Sequence, residues 1–404
     1  MTRVSVREMI PIFLIAISVI YTFYDRLKQL FAKIQLVFVA IVMSGVCHSP
    51  ASASPDRLNE GVFMEAHDIE SLTMAEGLRH NFVDDIMRDS RGFLWIGYGG
   101  GGLSRYDGYE FVNFSANSIQ YPLRGNFAIE MAEDRFGRLW VATEGGISII
   151  NLYNLRQTEV KDYTGRLDAA VNVPSWGVHV DKSGKLWIRT GDSIICFRFN
   201  ADGDIDSTAQ YTYTPISRGP TCLRDINGNG KPWTGINGEI CKLSADFEDN
   251  RITPVPVSSS LIFVPDIMVA DMVKSGKDVW IATDRGLWRY NPALDAATNY
   301  MNDPNDSKSL SQNFINSVAV TSKGQLIVGS LQGLNIYNPI NDNFERVGRS
   351  DPLHSVPGLN NVFVNKVYVD GNRVWIGTEG GGLSRITEKR LYVNTITNNF
   401  NAPG

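Results

Sequence analysis

From about residue 80 onward, apolar and polar residues alternate over four to six positions at a time, and each stretch ends in a polar turn that carries Gly. Phe82–Met87 (FVDDIM), Trp95–Tyr98 (WIGY) and Leu103–Tyr106 (LSRY) set the pattern. Alternation with a period of two marks half-buried strands, and no helical period persists in any repeat. The pattern recurs along the chain. Trp95, Trp140, Trp187, Trp233, Trp280, Ile327 and Trp375 stand 45, 47, 46, 47, 47 and 48 residues apart in one local context. A turn glycine stands three residues before most of them (Gly92, Gly137, Gly184, Gly230, Gly324), which is hairpin chemistry. Each unit therefore predicts a four-stranded antiparallel meander. A Trp and four strands per unit of this length predict an all-β fold, a seven-bladed β-propeller of four-stranded antiparallel blades over residues 54–404. In that arrangement the Trp fills the space between neighbouring sheets, and Gly97, Ala142, Gly235, Ala282, Gly329 and Gly377 allow close approach. Closing the ring requires a strand from a far terminus. Val62–Glu70 is favoured over Leu391–Thr397.

Residues 1–53 read differently. Met9–Tyr24 and Ile34–Cys47 are uncharged apolar runs separated by a segment with Arg26, Lys28 and Lys33. The second run fits a secretory signal, with cleavage expected after Ala53 in the small-residue site Ala51-Ser52-Ala53. Two readings stand for the first run, a membrane anchor or a start codon placed too far upstream. Both put the positive cluster in the cytoplasm and the rest outside it, periplasmic, secreted or anchored to the inner membrane. Cys47 follows Ser44-Gly45-Val46, which is not a lipid-attachment context.

The chain has 404 residues with a formal net charge of −5, and its acids and bases are scattered, so nothing marks a nucleic-acid partner. Beyond residue 53 only Cys196, Cys222 and Cys241 remain, an odd number that suits buried strand thiols better than a disulfide framework.

WIGYGGGGLSRYD and WIGTEGGGLSRIT, in the first and last units, resemble the core motif of the two-component regulator propeller repeats, and residues 300–318 (YMNDPNDSKSLSQNFINSV) resemble that family's linker between blades. The resemblance spans about residues 62–397. Units three and four depart from the motif, with Arg189 at a small-residue position and TGINGE in place of the Gly-rich turn. The resemblance implies a periplasmic sensor region of a hybrid histidine kinase or related protein, a glycan ligand, and a homodimer or partner signalling protein. A kinase or cyclase output is expected outside this chain.

Candidate chemistry is sparse. His67, His80, His179 and His354 occupy unrelated repeat positions, which argues against a catalytic or metal cluster, and no cofactor motif is present. The expectation is a non-enzyme, with a streptogramin-lyase-like propeller and a protein-interaction scaffold as alternatives. Asp89, Asp134 and Asp181 stand in D-x-x-G-x-x-W turns, where a carboxylate caps its own hairpin. Asp225, Asn227 and Asn229 match the opening of a calcium loop, but its twelfth position is Ile236 and not Glu. By register, the second-to-third-strand turns place Tyr98, Glu144, Asp192, Asn237, Asp284, Arg285, Gln332 and Glu379 around one rim of the channel, with His80, Arg124, Trp176 and Asn313 at the blade-joining turns. These are the candidate contacts for a small-molecule or oligosaccharide ligand.

Overall fold

In the computed structural model, which describes residues 67–213, 222–261, 267–348 and 358–388, the alternating stretches form antiparallel strands paired in chain order. The expectations for residues 1–53, for Leu391–Thr397 and for His354 fall outside the described residues. The first sheet is Val83–Arg88, Leu94–Tyr98, Gly102–Tyr106 and Phe111–Phe114. Two others have the same four-strand order, one from Val269–Ser275 to Ala296–Tyr300 and one from Ile315–Val320 to Asn343–Val347. The second unit has three strands (Ala128–Glu133, Arg138–Thr143, Gly146–Asn151), with a single bridge from Ile150 to Gln157 where a fourth was expected.

Units three and four also depart from the expected plan. Their strands join into one seven-stranded sheet, because Ile205–Thr212 and Arg251–Pro256 meet in parallel at Gln210 and Arg251. The first strand of unit four is reduced to a bridge between Arg224 and Trp233. The last sheet is Val364–Asp370, Arg373–Thr378 and Gly382–Glu388, completed by His67–Leu72. The N-terminal strand is therefore the closing strand, and residues 62–66 of the expected Val62–Glu70 fall outside the described residues.

First strands of neighbouring sheets pack side by side. Val83–Arg88 lies between Ala128–Glu133 and Val364–Asp370, and Ile315–Val320 between Val269–Ser275 and Val364–Asp370. The fold is all-β and propeller-like. Among the described residues the core falls into seven apolar clusters between sheets, each holding one member of the repeating series. Trp95 packs with Ala128, Met131 and Leu139 of the next unit, and Trp375 packs with Val83, Ile86 and Leu94 of the first. The small residues behind the series are needed for this approach. A Cβ on Gly97 would stand 2.6 Å from the Ala128 carbonyl oxygen, and one on Gly329 would stand 2.6 Å from Val364 Cγ1.

The D-x-x-G-x-x-W turns carry a second bond that the sequence reading missed. Asp89 Oδ1 accepts from the backbone N–H groups of Arg91 and Phe93, while its Oδ2 accepts from the Trp95 indole at 2.8 Å. Asp134 and Asp181 hold Trp140 and Trp187 in the same way, at 2.7 and 2.8 Å. A buried indole N–H needs such an acceptor. Where Ile327 replaces the Trp, Thr321 replaces the Asp and caps the turn with its hydroxyl alone.

Candidate functional site

The first strand of each unit lines the central channel, and its middle carries polar side chains in an otherwise apolar stretch. At matching register stand Asp85, Glu130, Gly177, Asp271, Ser317 and Lys366, paired respectively with Gly97, Ala142, Arg189, Ala282, Gly329 and Gly377. All but Gly177 are polar and reach sideways to the next unit. Asp85 accepts from Met131 N–H at 2.9 Å and Glu130 from Val178 N–H at 3.2 Å. Asp271 accepts from Val318 N–H at 3.2 Å and from the Ser317 hydroxyl at 3.0 Å, and Ser317 Oγ accepts from Val367 N–H at 3.1 Å. Lys366 returns to Asp85 at 2.9 Å. Gly177 makes room, since a Cβ there would stand 3.0 Å from Glu130 Oε2.

Arg224, from the irregular first strand of unit four, ties this belt together across the channel. Its Nη1 donates to Glu130 at 2.7 Å and its Nε to Asp271 at 2.8 Å. Burial alone would raise the Asp271 pKa, but Arg224 and then Lys366 bring it below the ordinary carboxylate range. Asp85 moves the other way, raised by burial in spite of Lys366. Asp84, one residue nearer the mouth, is pushed up to about 7 by burial and by repulsion from Asp85 and Glu379. Burial, and after it Arg224, depresses the pKa of His179.

The belt divides the channel in two. On the side where the blade-joining turns enter, called upper here, a cavity of about 340 Å³ is lined by Asp84, Trp176, Met268, Phe314, Asn316 and Asn365. On the lower side, toward the first-to-second-strand turns, a cavity of about 410 Å³ has walls of Met, Val and Ile. Both are within the size range of small-ligand sites.

Of the residues placed on the rim from sequence, Trp176 lines the upper cavity, and several others are occupied in holding turns. Tyr98 is a correction. It is fully buried against Leu78, Val83 and Leu383, and burial pushes its pKa up to about 12. Glu144 accepts from the Asn126 and Phe127 N–H groups at 2.8 and 2.9 Å, and Asp284 from Met268 N–H at 3.0 Å, so both fasten the blade-joining turn beside them. Asp192 accepts from the Thr190 and Ser193 hydroxyls. Asn237 sits at φ +51° in the two-residue turn before Gly238, a conformation that Asn tolerates better than most residues. Asn313 accepts from Asn302 N–H, His80 Nδ1 accepts from Phe82 N–H, and Arg124 donates to Asn172. Arg285, Gln332 and Glu379 are exposed on the upper turns. Register identifies the turn but does not show whether a side chain folds back onto the backbone.

The calcium-loop residues build an ordinary turn. Asp225 Oδ1 accepts from Asn229 N–H and its Oδ2 from Gly230 and Lys182 N–H, and Asn229 Oδ1 accepts from Lys231 N–H. Asn227 stands in the same turn. Among the described residues no group of three or more His, Cys, Asp or Glu is arranged to hold a metal ion. Cys196, Cys222 and Cys241 are free and buried, as the sequence suggested.

The sequence missed the belt, although its signal was present: a polar residue nine or ten positions before the repeating Trp or Ile in six units.

Comparison with known proteins agrees with this architecture. Residues 77–100 match the family described as two component regulator propeller. No curated protein matches. The extracellular domain of a protein described as a hybrid two-component system of B. thetaiotaomicron superposes with a TM-score of 0.60 at 22% identity, over 79% of this chain and 42% of that one. A second extracellular domain from B. thetaiotaomicron, described as part of a one-component system, gives 0.59 at 17%, over 80% and 40%. The chain thus spans about two fifths of the length of these domains. Virginiamycin B lyase from Staphylococcus aureus gives 0.54 at 14%, over 80% of this chain and all of the lyase. Over residues 77–100 the chain carries a two-component regulator propeller repeat, on a fold shared with these extracellular domains, which is the family resemblance its repeats display.

Proposed function

We propose that this chain is the extracytoplasmic ligand-sensing propeller of a two-component or related signalling system, with seven four-stranded blades and a carbohydrate-derived ligand in the upper channel mouth. The seven inter-sheet clusters, one for each member of the repeating series, support the blade count and divide the seven-stranded sheet into units three and four. The observation that carries the ligand reading is the upper cavity. Trp176, 41% exposed, and Phe314 offer apolar faces beside Asn316, Asn365 and Asp84, the combination that suits a sugar ring and its hydroxyls. The output would belong to a partner signalling protein or to further domains.

A thermal-shift screen of the purified chain against oligosaccharides tests the reading. A ligand at 100 times its Kd should stabilise by about 2.7 kcal/mol. Trp176→Ala should remove that shift and leave the melting temperature of the free protein unchanged. Stabilisation that survives Trp176→Ala would move the site elsewhere. Consumption of the ligand would favour a lyase, and a co-purifying protein without any sugar response would favour a scaffold.

A further inference from the structure

The lower half of the channel is built differently from the upper. Its partly exposed wall runs through Met87, Val273, Ala319, Val320 and Val369, with Tyr368 as its aromatic ring. The ion-paired belt forms its floor. Arg224 and Lys366 are satisfied there by Glu130, Asp271 and Asp85, but His179, which lines the same cavity, has a buried Nε2 without a hydrogen-bond partner.

The rim of this cavity is formed by the first-to-second-strand turns, and its exposed charge is positive. Lys182, Lys231, Lys274, Lys277 and Arg373 are exposed, and none pairs with an acid among the described residues. Asp89, Asp134 and Asp181 of these turns are 3–4% exposed and bind backbone N–H groups and indoles, and the partly buried Asp225, Asp278 and Asp370 accept from backbone N–H groups, from Asn291 and from Arg88 respectively. Lys274 directly follows Val273 of the wall. Exposed acids such as Asp107, Glu110, Glu248 and Asp249 lie at the same end, in turns between third and fourth strands, at the outer edge of each sheet. A flat anionic bilayer would meet that outer acidic ring as well, whereas a slender ligand on the axis meets only the inner bases.

We propose that the lower vestibule is a second ligand site, for a single-chain anionic amphiphile. The alkyl chain lies along the Met and Val wall and the anionic head among the rim lysines. Apolar burial supplies most of the affinity and the rim charges supply selectivity for an anion.

The test is calorimetric titration of the purified chain with 10-hydroxydecanoate and with its neutral counterpart 1,10-decanediol. The acid should bind saturably at one site, roughly tenfold more tightly than the diol, with the preference shrinking at high salt. The combined variant Lys182→Gln/Lys274→Gln/Lys277→Gln, which alters exposed side chains alone, should bring the acid to within about threefold of the diol. Ala319→Trp, which fills the wall, should abolish binding of both, with a melting curve to show that the variant is folded. No saturable binding, equal affinity for acid and diol in the native chain, or undiminished binding to folded Ala319→Trp would each overturn the proposal.

Discussion

The first and fourth units share a repeat but not a construction. In the first, six residues separate Asp89 from Trp95, the carboxylate meets the indole, and Val83–Arg88 pairs along its length with Leu94–Tyr98. In the fourth, Trp233 stands eight positions after Asp225, so the carboxylate closes the turn without reaching the ring, and Trp233 Nε1 has no hydrogen-bond partner among the described residues. The ladder beside it shrinks to the Arg224–Trp233 bridge. That loss of regularity has a use. Arg224 spans from Glu130 to Asp271 and joins the belts of units two and five. The unit that looks worst by its motif thus supplies the cation that holds the channel together.

That contrast can be broken at several points. Arg224→Met should cost about 3–5 kcal/mol, because the buried Asp271 and the largely buried Glu130 lose their counter-charge, while Arg198→Met, at an exposed pair with Asp206, should cost no more than about 1 kcal/mol. Chemical denaturation of both variants decides it, and near-equal losses would mean that the belt is screened by solvent. Trp140→Ala should cost about 3–5 kcal/mol by cavity formation, and Ile327→Ala about 2–5 kcal/mol toward the lower end, since the smaller side chain leaves less space behind. Losses below about 1 kcal/mol at both sites would contradict their complete burial.

Asp84 gives a pH-dependent difference. Its folded pKa of about 7 lies above the ordinary 3.8, so the folded state binds the proton more tightly and stability falls as pH rises from about 4 through 7. Asp84→Asn should therefore raise the melting temperature at pH 8, by an amount equivalent to at most about 4 kcal/mol, and change it little at pH 4. Thermal melts at the two pH values test this, and an equal effect at both would remove the assigned cause. A smaller effect than at Arg224 is expected at Glu144→Ala, about 1–3 kcal/mol from two lost charge-assisted bonds to the Asn126–Phe127 turn. A melting temperature equal to that of the parent would restore Glu144 to the role of a free rim residue.

Much of the fold was legible because periodicity of two and evenly spaced Trp residues report packing that is local to each hairpin and its neighbour. Closure by an N-terminal strand was legible for a related reason, since a ring leaves one sheet short of a strand and Val62–Glu70 precedes the first complete unit. What sequence could not show is direction. Glu144 and Asp284 looked like ligand contacts because they stand in exposed turns, and the structure turns them inward onto backbone N–H groups. The belt escaped notice because its members differ in charge and type from unit to unit. Asp85, Glu130, Ser317 and Lys366 share only a position in a strand, and their complementarity exists across units, where no short motif can record it.

The closing strand has a mechanical consequence. His67 pairs with Glu388 and Leu72 with Leu383, so residues 67 and 388 stand side by side at the same end of two neighbouring strands. Tension between whatever precedes residue 67 and whatever follows residue 388 is not shared over six residue pairs at once. It falls on the outermost pair first and peels the seam like a zip, one rung at a time, whereas a pull parallel to the strands would have to shear every rung together. A propeller clasped in this way resists heat through its core and yields to traction at its seam.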